Sequence, residues 1–114
     1  MTGELPTAAP YLYLTTTGRR SGKPHEIEIW YVVYGGCCYL IAELRERADW
    51  VLNIQHNPAV IVRLEDRVFA AVGRTVDPAA EPERAAAVCA LMDAKYDWSD
   101  GLIVELCPRA KQGA

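Results

Sequence analysis

Hydrophobic and polar residues alternate with a period of two along much of this chain, and that pattern predicts β-strands. The clearest run is 25–34, in which one face carries Ile27, Ile29, Tyr31 and Val33. Aromatic, β-branched or alternating runs extend the prediction to six strands, at 11–17, 25–34, 37–43, 59–64, 67–76 and 102–107. Glycine or acidic pairs fit the short connections of two hairpins, at 35–36 and 65–66.

Two segments change to a helical period. Residues 45–55 are predicted to form one helix, which Asn57-Pro58 ends because the residue before proline resists helical geometry. Residues 81–96 are predicted to form a second, with acidic residues first and Lys95 near the end, as the helix dipole favours. Its expected apolar stripe is Ala85, Val88, Leu91, Met92 and Tyr96. Strands linked mostly by hairpins, with two helices between them, favour a mainly β (α+β) fold whose antiparallel sheet closes into a barrel.

Length and charge narrow the class of protein. At 114 residues the chain fits a single domain, 1–114, with a loose leader over 1–10 and a frayed polar tail over 109–114. The formal net charge of −3 argues against a general nucleic-acid binder. No apolar run approaches the roughly 20 residues of a transmembrane helix, and the start lacks a signal-peptide pattern, so we expect a cytoplasmic protein.

The four cysteines show neither a metal-ligand spacing nor the pattern of a disulfide framework. Cys37 and Cys38 are adjacent on a predicted strand, where successive side chains point to opposite faces. We therefore expect four reduced thiols that serve packing, and no metal site.

A cationic glycine turn is the strongest candidate for chemistry. Arg19, Arg20 and Lys23 fall within five positions between Gly18 and Pro24, after a run of threonines. Clustered cations, hydroxyls and backbone N–H groups can hold a phosphate or carboxylate, although a solvated hairpin loop has the same composition. The glycine spacing excludes a P-loop, and no G-x-G-x-x-G sequence supports a Rossmann site.

Aromatic residues follow the turn. Trp30 and Tyr31 on the next strand and Trp50 on the first helix could flank a planar ring whose anionic tail lies on the turn, or they could fill the core. His25 beside the turn is either a hydrogen-bonding group or a half-exposed strand residue. We reject Glu26 and Glu28 as a catalytic acid–base pair, because alternating acidic residues are common on the solvent face of a strand.

Four stretches carry a resemblance to a known family: T-T-T-G-R-R-S-G-K-P at 15–24, E-I-E-I-W-Y at 26–31, Y-L-I-A after the Gly-Gly pair, and A-D-W-V-L-N-I-Q-H-N-P-A-V at 48–60. Over roughly 14–76 the chain resembles the deazaflavin-dependent nitroreductase family. That family belongs with the split-β-barrel flavin-binding proteins related to pyridoxamine-phosphate oxidase. The resemblance implies a split β-barrel of about six antiparallel strands with two helices.

The resemblance also implies a cofactor, coenzyme F-420 (a deazaflavin), and a set of residues that bind it. The residues at the phosphate and acidic tail would be Arg19, Arg20, Ser21, Gly22, Lys23 and His25. Those beside the ring would be Ile27, Glu28, Ile29, Ala42 and Glu43, with Trp50 and Asn53 from the W-x-x-N of the helix. Candidate hydrogen-bond donors to the acceptor, and hence catalytic residues, would be Tyr31, Trp30 and His25.

The implied activity is hydride transfer from the reduced deazaflavin to a small electron-poor acceptor, such as a quinone, enone or nitro compound. Two alternatives remain open at this point: an FMN-binding split-barrel reductase, and a flavin- or deazaflavin-binding protein without turnover. Relatives of this kind often dimerise, so a homodimer is expected.

Overall fold

The computed structural model describes residues 5–109, in which seven strands form one antiparallel sheet. The strands are β1 (Leu12–Thr17), β2 (Pro24–Ile29), β3 (Val32–Tyr34), β4 (Cys37–Ala42), β5 (Ala59–Leu64), β6 (Arg67–Val76) and β7 (Leu102–Pro108). The helices are α1 (Asp49–His56) and α2 (Pro82–Tyr96), and a short 3-10 helix (Arg45–Arg47) precedes α1. No helix in this part of the chain is long and apolar enough to cross a bilayer.

The strand order, β2-β1-β5-β6-β7-β4-β3, puts two consecutive strands at opposite edges of the sheet. Only Trp30 and Tyr31 separate β2 from β3, so the sheet curls until its edges approach without pairing. The predicted continuous strand 25–34 is therefore wrong. Its ladder with β1 ends where Ile29 pairs with Leu12, and the Tyr31 N–H donates to Tyr96 Oη instead of to a strand.

The predicted helix over 45–55 is also wrong in its first half. Ala48 has extended geometry, with φ −71° and ψ 131°, and separates the 3-10 helix from α1. The second helix and the three hairpins agree with the prediction, and β7 extends one residue further, to Pro108.

The main core lies inside the curled sheet, and α1 closes one end of it with Val51 and Ile54. Gly73 allows this approach, because a Cβ there would lie 3.0 Å from Ile54 Cγ2. On the outside, α2 covers β3, β4 and β7. Of its predicted stripe, Leu91 is exposed, while the rest pack inward: Ala85, Val88, Met92 and Tyr96.

An ion-pair network around the buried Glu105 attaches α2 to the sheet. Glu105 on β7 accepts hydrogen bonds from Arg74 Nε at 2.8 Å and from Tyr39 Oη at 2.6 Å. Arg74 also bonds Glu81, just before α2, at 2.7 Å, and Arg84 on α2 bonds Glu81 at 2.9 Å. Burial raises the pKa of Glu105, but the hydrogen bonds from Arg74 and Tyr39 outweigh it and leave that pKa below its usual range.

The expectation of four free thiols is wrong, because Cys37 and Cys107 form a disulfide. The register of β4 with β7 pairs Cys38 with Leu106, which brings Cys37 opposite Cys107. The two are 70 positions apart in the sequence, so local spacing gave no sign of the bond. Cys38 and Cys89 are free.

The described part of the predicted leader, residues 5–10, is bound to the fold. The Pro6 carbonyl accepts a hydrogen bond from Tyr31 Oη at 2.6 Å, and the Pro10 carbonyl accepts one from Tyr96 Oη at 2.6 Å. Ala9 is buried. The rest of the leader, 1–4, and the tail beyond 109 lie outside the described residues.

Candidate functional site

A cleft of about 1110 Å³ runs along the free edge of β2, where the barrel is split. Its walls come from the β1–β2 turn, α1, the end of β4 and the connection between α2 and β7. The volume is at the upper end of the range for small-molecule sites, so it can take a large cofactor with a small second ligand.

The cationic turn forms one end of the cleft. A Cβ on Gly18 would lie 2.7 Å from His25 Nε2 and 2.8 Å from Ser21 Oγ, so glycine leaves the room in which these two side chains converge over the turn. Ser21 Oγ accepts a hydrogen bond from the Lys23 N–H at 3.1 Å, which leaves the hydroxyl hydrogen able to donate to an anion. Arg20 is exposed and lines the same end.

The backbone of the turn contributes less than the sequence suggested. The Gly18 N–H donates to the Lys23 carbonyl and the Gly22 N–H to the Gly18 carbonyl, each at 2.8 Å. The Arg19 N–H donates to Asn53 Oδ1 at 3.1 Å. Because these three N–H groups already have partners, they are not free to bind an anion, and the side chains of the turn carry more of that role.

Arg19 and Asn53 hold the turn against α1. Asn53 is buried, accepts a second hydrogen bond from Arg19 Nη1 at 2.9 Å, and donates through Nδ2 to Thr16 Oγ1 at 3.1 Å. Arg19 Nη2 also pairs with Asp49 at 3.2 Å. Both residues line the cleft, but these bonds position the turn.

Both apolar and acidic side chains line the middle of the cleft. Ile27 and Ile29 of β2 and Trp50 of α1 line it, and the end of β4 adds Ala42 and Glu43. Glu26 and Glu28 alternate with the isoleucines along β2 and are exposed. This middle section therefore offers apolar surface for a flat ring and carboxylates at its rim.

Aromatic rings form the other end. Trp30 stacks on Tyr96 of α2 with centroids 4.4 Å apart and planes at 4°. Trp98, in the α2–β7 connection, meets Trp30 edge-on at 6.2 Å and 74°. From His25 to Trp30 the strand advances roughly 16 Å, so the cationic and aromatic ends are well separated.

Tyr31 lies outside the cleft. Its side chain is buried, its hydroxyl donates to Pro6, and Lys95 Nζ lies 3.9 Å above its ring. Burial, with smaller electrostatic contributions, raises the pKa of Tyr31 to about 12, so its hydroxyl stays protonated. The structure gives this predicted donor no route to a ligand in the cleft.

Twelve of the predicted site residues line the cleft: Arg19, Arg20, Ser21, His25, Ile27, Glu28, Ile29, Trp30, Ala42, Glu43, Trp50 and Asn53. Gly22 and Lys23 belong to the turn but do not line the cleft. Lining residues that sequence reasoning did not single out for the site include Tyr11, Ile41, Leu44, Asp49 and Trp98. Asp49 stood within the A-D-W stretch, whereas no local pattern pointed to Trp98.

A model of the F420H(2)-dependent quinone reductase family matches residues 1–100. The chain belongs to this family. It is accordingly an oxidoreductase with a role as an F420-dependent reductase. The family description names F420H(2) and gives no support to FMN as the alternative cofactor. No curated protein matches the sequence.

Solved structures with the same fold include an F420-H2 dependent reductase, at 19% identity and TM-score 0.69 over 92% of this chain and 99% of that one. The heme storage protein HutZ from Vibrio cholerae is similar at 20% identity and TM-score 0.71, over 90% and 83%. A putative pyridoxamine 5'-phosphate oxidase from Listeria innocua is similar at 15% identity and TM-score 0.65, over 90% and 86%. The predicted split-barrel fold is thereby confirmed, with seven strands in place of six.

Proposed function

We propose that this reductase passes a hydride from the reduced deazaflavin to a small, electron-poor acceptor such as a quinone, enone or nitro compound. The observation that supports this most is the layout of the cleft: cationic at one end, apolar in the middle and aromatic at the other end. The bound deazaflavin supplies the hydride, and the protein supplies binding and orientation.

The turn would bind the anionic tail of the cofactor. Arg20 is exposed at the cleft and forms no ion pair within residues 5–109. With the Ser21 hydroxyl and His25 beside it, it offers charge-assisted hydrogen bonds to phosphate or carboxylate oxygens. Lys23 adds positive charge from outside the cleft.

The ring would lie between β2 and α1. Ile27 and Ile29 provide a flat apolar surface, and Trp50 an aromatic one. Because β2 pairs only with β1, the backbone groups along its other edge can hydrogen-bond the polar edge of a ring. Ala42 and Glu43 would border the ring from the opposite side.

Trp30 is the donor we propose for the acceptor, since it lines the aromatic end of the cleft, whereas Tyr31 does not line the cleft and His25 lies at the cationic end with the cofactor tail. A donor positions and polarises an acceptor oxygen without having to lose its proton. Protonation of the reduced product is assigned to solvent, because the cleft is open along the barrel split.

We also propose a homodimer that pairs through an uncovered apolar sheet face. Cross-strand pairs put Val68, Ala70 and Val72 of β6 beside Ile61 of β5 on the outside of the barrel, where α2 does not reach. Val68 is 65% exposed and Ile61 43%. Contiguous exposed apolar surface of this kind typically marks an interface.

Charge and position favour a second copy as the occupant of this face. Glu28 lies on its β2 side, and Arg63 of β5 lies beside Glu26, with which it forms an ion pair within the same copy at 3.5 Å. A two-fold axis through the face would place acidic residues of one copy near basic residues of the other. The two glutamates also line the cleft, so the partner would sit beside it.

Anaerobic turnover tests the proposed activity. Reduced deazaflavin is mixed with an acceptor, menadione or a nitroarene, and its oxidation is followed by absorbance with and without protein. We expect oxidation that depends on protein concentration and saturates in acceptor. No rate above the protein-free control with either acceptor, together with no binding of the deazaflavin, would refute the proposal.

A further inference from the structure

The segment between α2 and β7, residues 97–101, crosses the aromatic end of the cleft and is held on both sides. Asp97 ends α2 with φ 59° in the left-handed region, which turns the chain away from the helix. Asp100 pairs with Arg45 of the 3-10 helix at 3.1 Å. Gly101 lies against β4 so closely that a Cβ would come within 2.4 Å of the Ala42 carbonyl oxygen.

Trp98 is the residue that this segment presents to the cleft. Its indole stands at 74° to that of Trp30, and the back of Trp30 is covered by Tyr96. The two indoles therefore form a corner, with Ile41 and Leu44 also lining the cleft. Such a corner can contact a flat ring on its face and its edge at once.

The charges around this corner differ from those at the turn. Glu43 is exposed near it and Glu28 lies along β2, whereas Asp100 and Arg45 pair with each other and so cancel in charge. An acidic rim repels anionic ligands, whereas the cationic turn attracts them. The cleft is thus polarised, and its aromatic end suits a neutral, flat, apolar molecule.

We propose that Trp98 determines acceptor specificity, by selecting flat neutral acceptors of two fused rings over smaller or anionic ones. This rests on the proposed function, in which the cofactor tail occupies the opposite end. Burying an aromatic ring against two indoles gains more for a larger flat acceptor than for a single ring, because the gain scales with the apolar area removed from water.

The test compares Trp98→Ala and Trp98→Phe with the wild type, using three acceptors: menadione, its sulfonated analogue and benzoquinone. For Trp98→Ala we expect kcat/KM for menadione to fall about tenfold, and that for benzoquinone to change less than about threefold. Trp98→Phe should recover most of the menadione rate. The wild type should prefer menadione to the sulfonated analogue.

A binding readout separates this inference from the proposed function. Menadione should raise the Tm of the wild type loaded with oxidised deazaflavin, and Trp98→Ala should lose that shift while keeping the Kd for deazaflavin. Equal losses for menadione and benzoquinone, or no loss for either, would overturn the role of Trp98. Failure of the wild type to bind deazaflavin would instead overturn the proposed function.

Discussion

The side chain of Asn53 joins three parts of the chain that are distant in sequence. It sits on α1, accepts two hydrogen bonds from Arg19 in the turn, and donates one to Thr16 on β1. Asn53 is buried, and a buried polar group without a hydrogen-bond partner lowers the stability of the fold. The asparagine therefore fixes the position of the cationic turn relative to the helix that borders the cleft.

Replacing Asn53 with alanine should remove the hydrogen bonds that hold the turn against α1. The substitution leaves the Thr16 hydroxyl and the Arg19 N–H without their partner, and we expect it to cost about 2–3 kcal/mol in the free energy of unfolding. Urea denaturation measures this, with Gln55→Ala, an exposed position of the same helix, as the control. Deazaflavin affinity should fall in Asn53→Ala alone. Equal stability of the two variants would contradict the role of Asn53.

Tyr31→Phe separates a structural hydroxyl from a catalytic one. The hydroxyl donates to Pro6 outside the cleft, so its removal should cost about 1 kcal/mol of stability and leave kcat within about twofold of the wild type. Steady-state rates with menadione, alongside thermal melts, measure both. A large fall in kcat without a loss of stability would indicate that Tyr31 does donate a hydrogen bond to the acceptor.

The sequence could name most lining residues, because they fall in the stretches that carry the resemblance. It could not show which of these residues are free to bind a ligand and which hold the structure together. Arg19 and Arg20 are adjacent and identical in type, yet one is bonded to α1 while the other is exposed at the cleft. That difference follows from the packing of α1 on β1, which is a tertiary contact with no local pattern.

At the scale of elements, the junction between β2 and β3 decides where the cleft lies. The alternation through 25–34 is real in sequence, but Tyr31 turns inward and its backbone bonds Tyr96 of α2. The chain thereby leaves one edge of the sheet and joins the other. Periodicity could predict both strands, but not a break caused by a helix 65 positions later.

The attachment of α2 to the sheet should depend on acid pH. The hydrogen bond from Arg74, with other contributions, lowers the pKa of Glu81 to about 2, against an unfolded value of 4.5. Because the pKa of Glu81 is lower in the folded state, its contribution to stability is fully present above pH about 4.5. It is lost as the pH falls towards about 2. Thermal melts across that window should show Tm falling less steeply for Glu81→Gln than for the wild type.

Glu83→Gln provides the matched control for this prediction. Glu83 is exposed on the first turn of α2 and carries no ion pair within residues 5–109. Its variant should follow the wild-type pH dependence. Identical slopes for all three proteins would mean that the bonds of Glu81 do not contribute to stability in solution.

The disulfide between β4 and β7 should stabilise the oxidised protein. A cross-link over 70 positions restricts the unfolded chain and is worth roughly 4 kcal/mol in the loop-entropy model. Reductant, or Cys37→Ser, should therefore lower Tm by roughly 10–20 °C, and Cys89→Ser should not. Thiol titration of the denatured, unreduced protein should count two free cysteines; a count of four would contradict the bond.

On the scale of the whole molecule, α2 covers the outside of β3, β4 and β7 and leaves the outside of β5 and β6 uncovered. Val68, Ile61 and Val72 are all exposed there. The alternation in the sequence marked one side of each strand as apolar, and the curled sheet buries that side. The run 59–62 is apolar on both sides of the strand, but only the register of β5 with β6 brings Ile61, Val68 and Val72 into one contiguous exposed face.

The proposed dimer predicts that a charge on this face will separate the subunits. Ile61→Asp should yield a monomer by light scattering at a concentration where the wild type is a dimer, because its cross-strand neighbours are Thr15 and Ala70 and a buried unpaired carboxylate is costly. Leu91→Asp, at an exposed position of α2 away from the face, should remain dimeric. A wild type that is already monomeric would refute the dimer.

Of the features of this protein, the overall architecture was the one that the sequence predicted best. Hairpin spacing and two helices at the right places favoured a curled antiparallel sheet, and the resemblance specified a split barrel. The order in which β2 and β3 end at opposite edges was not predictable from local pattern, because it depends on how the sheet closes on itself. The cleft exists at that closure.

The central claim is that this cleft holds a deazaflavin with its anionic tail on the cationic turn. Fluorescence-quenching titration tests it with the wild type, Arg20→Ala and the control Arg67→Ala, an exposed arginine outside the cleft. We predict micromolar binding by the wild type and Arg67→Ala, and a Kd about tenfold higher for Arg20→Ala. No micromolar binding by the wild type, or equal Kd values for all three proteins, would contradict the account.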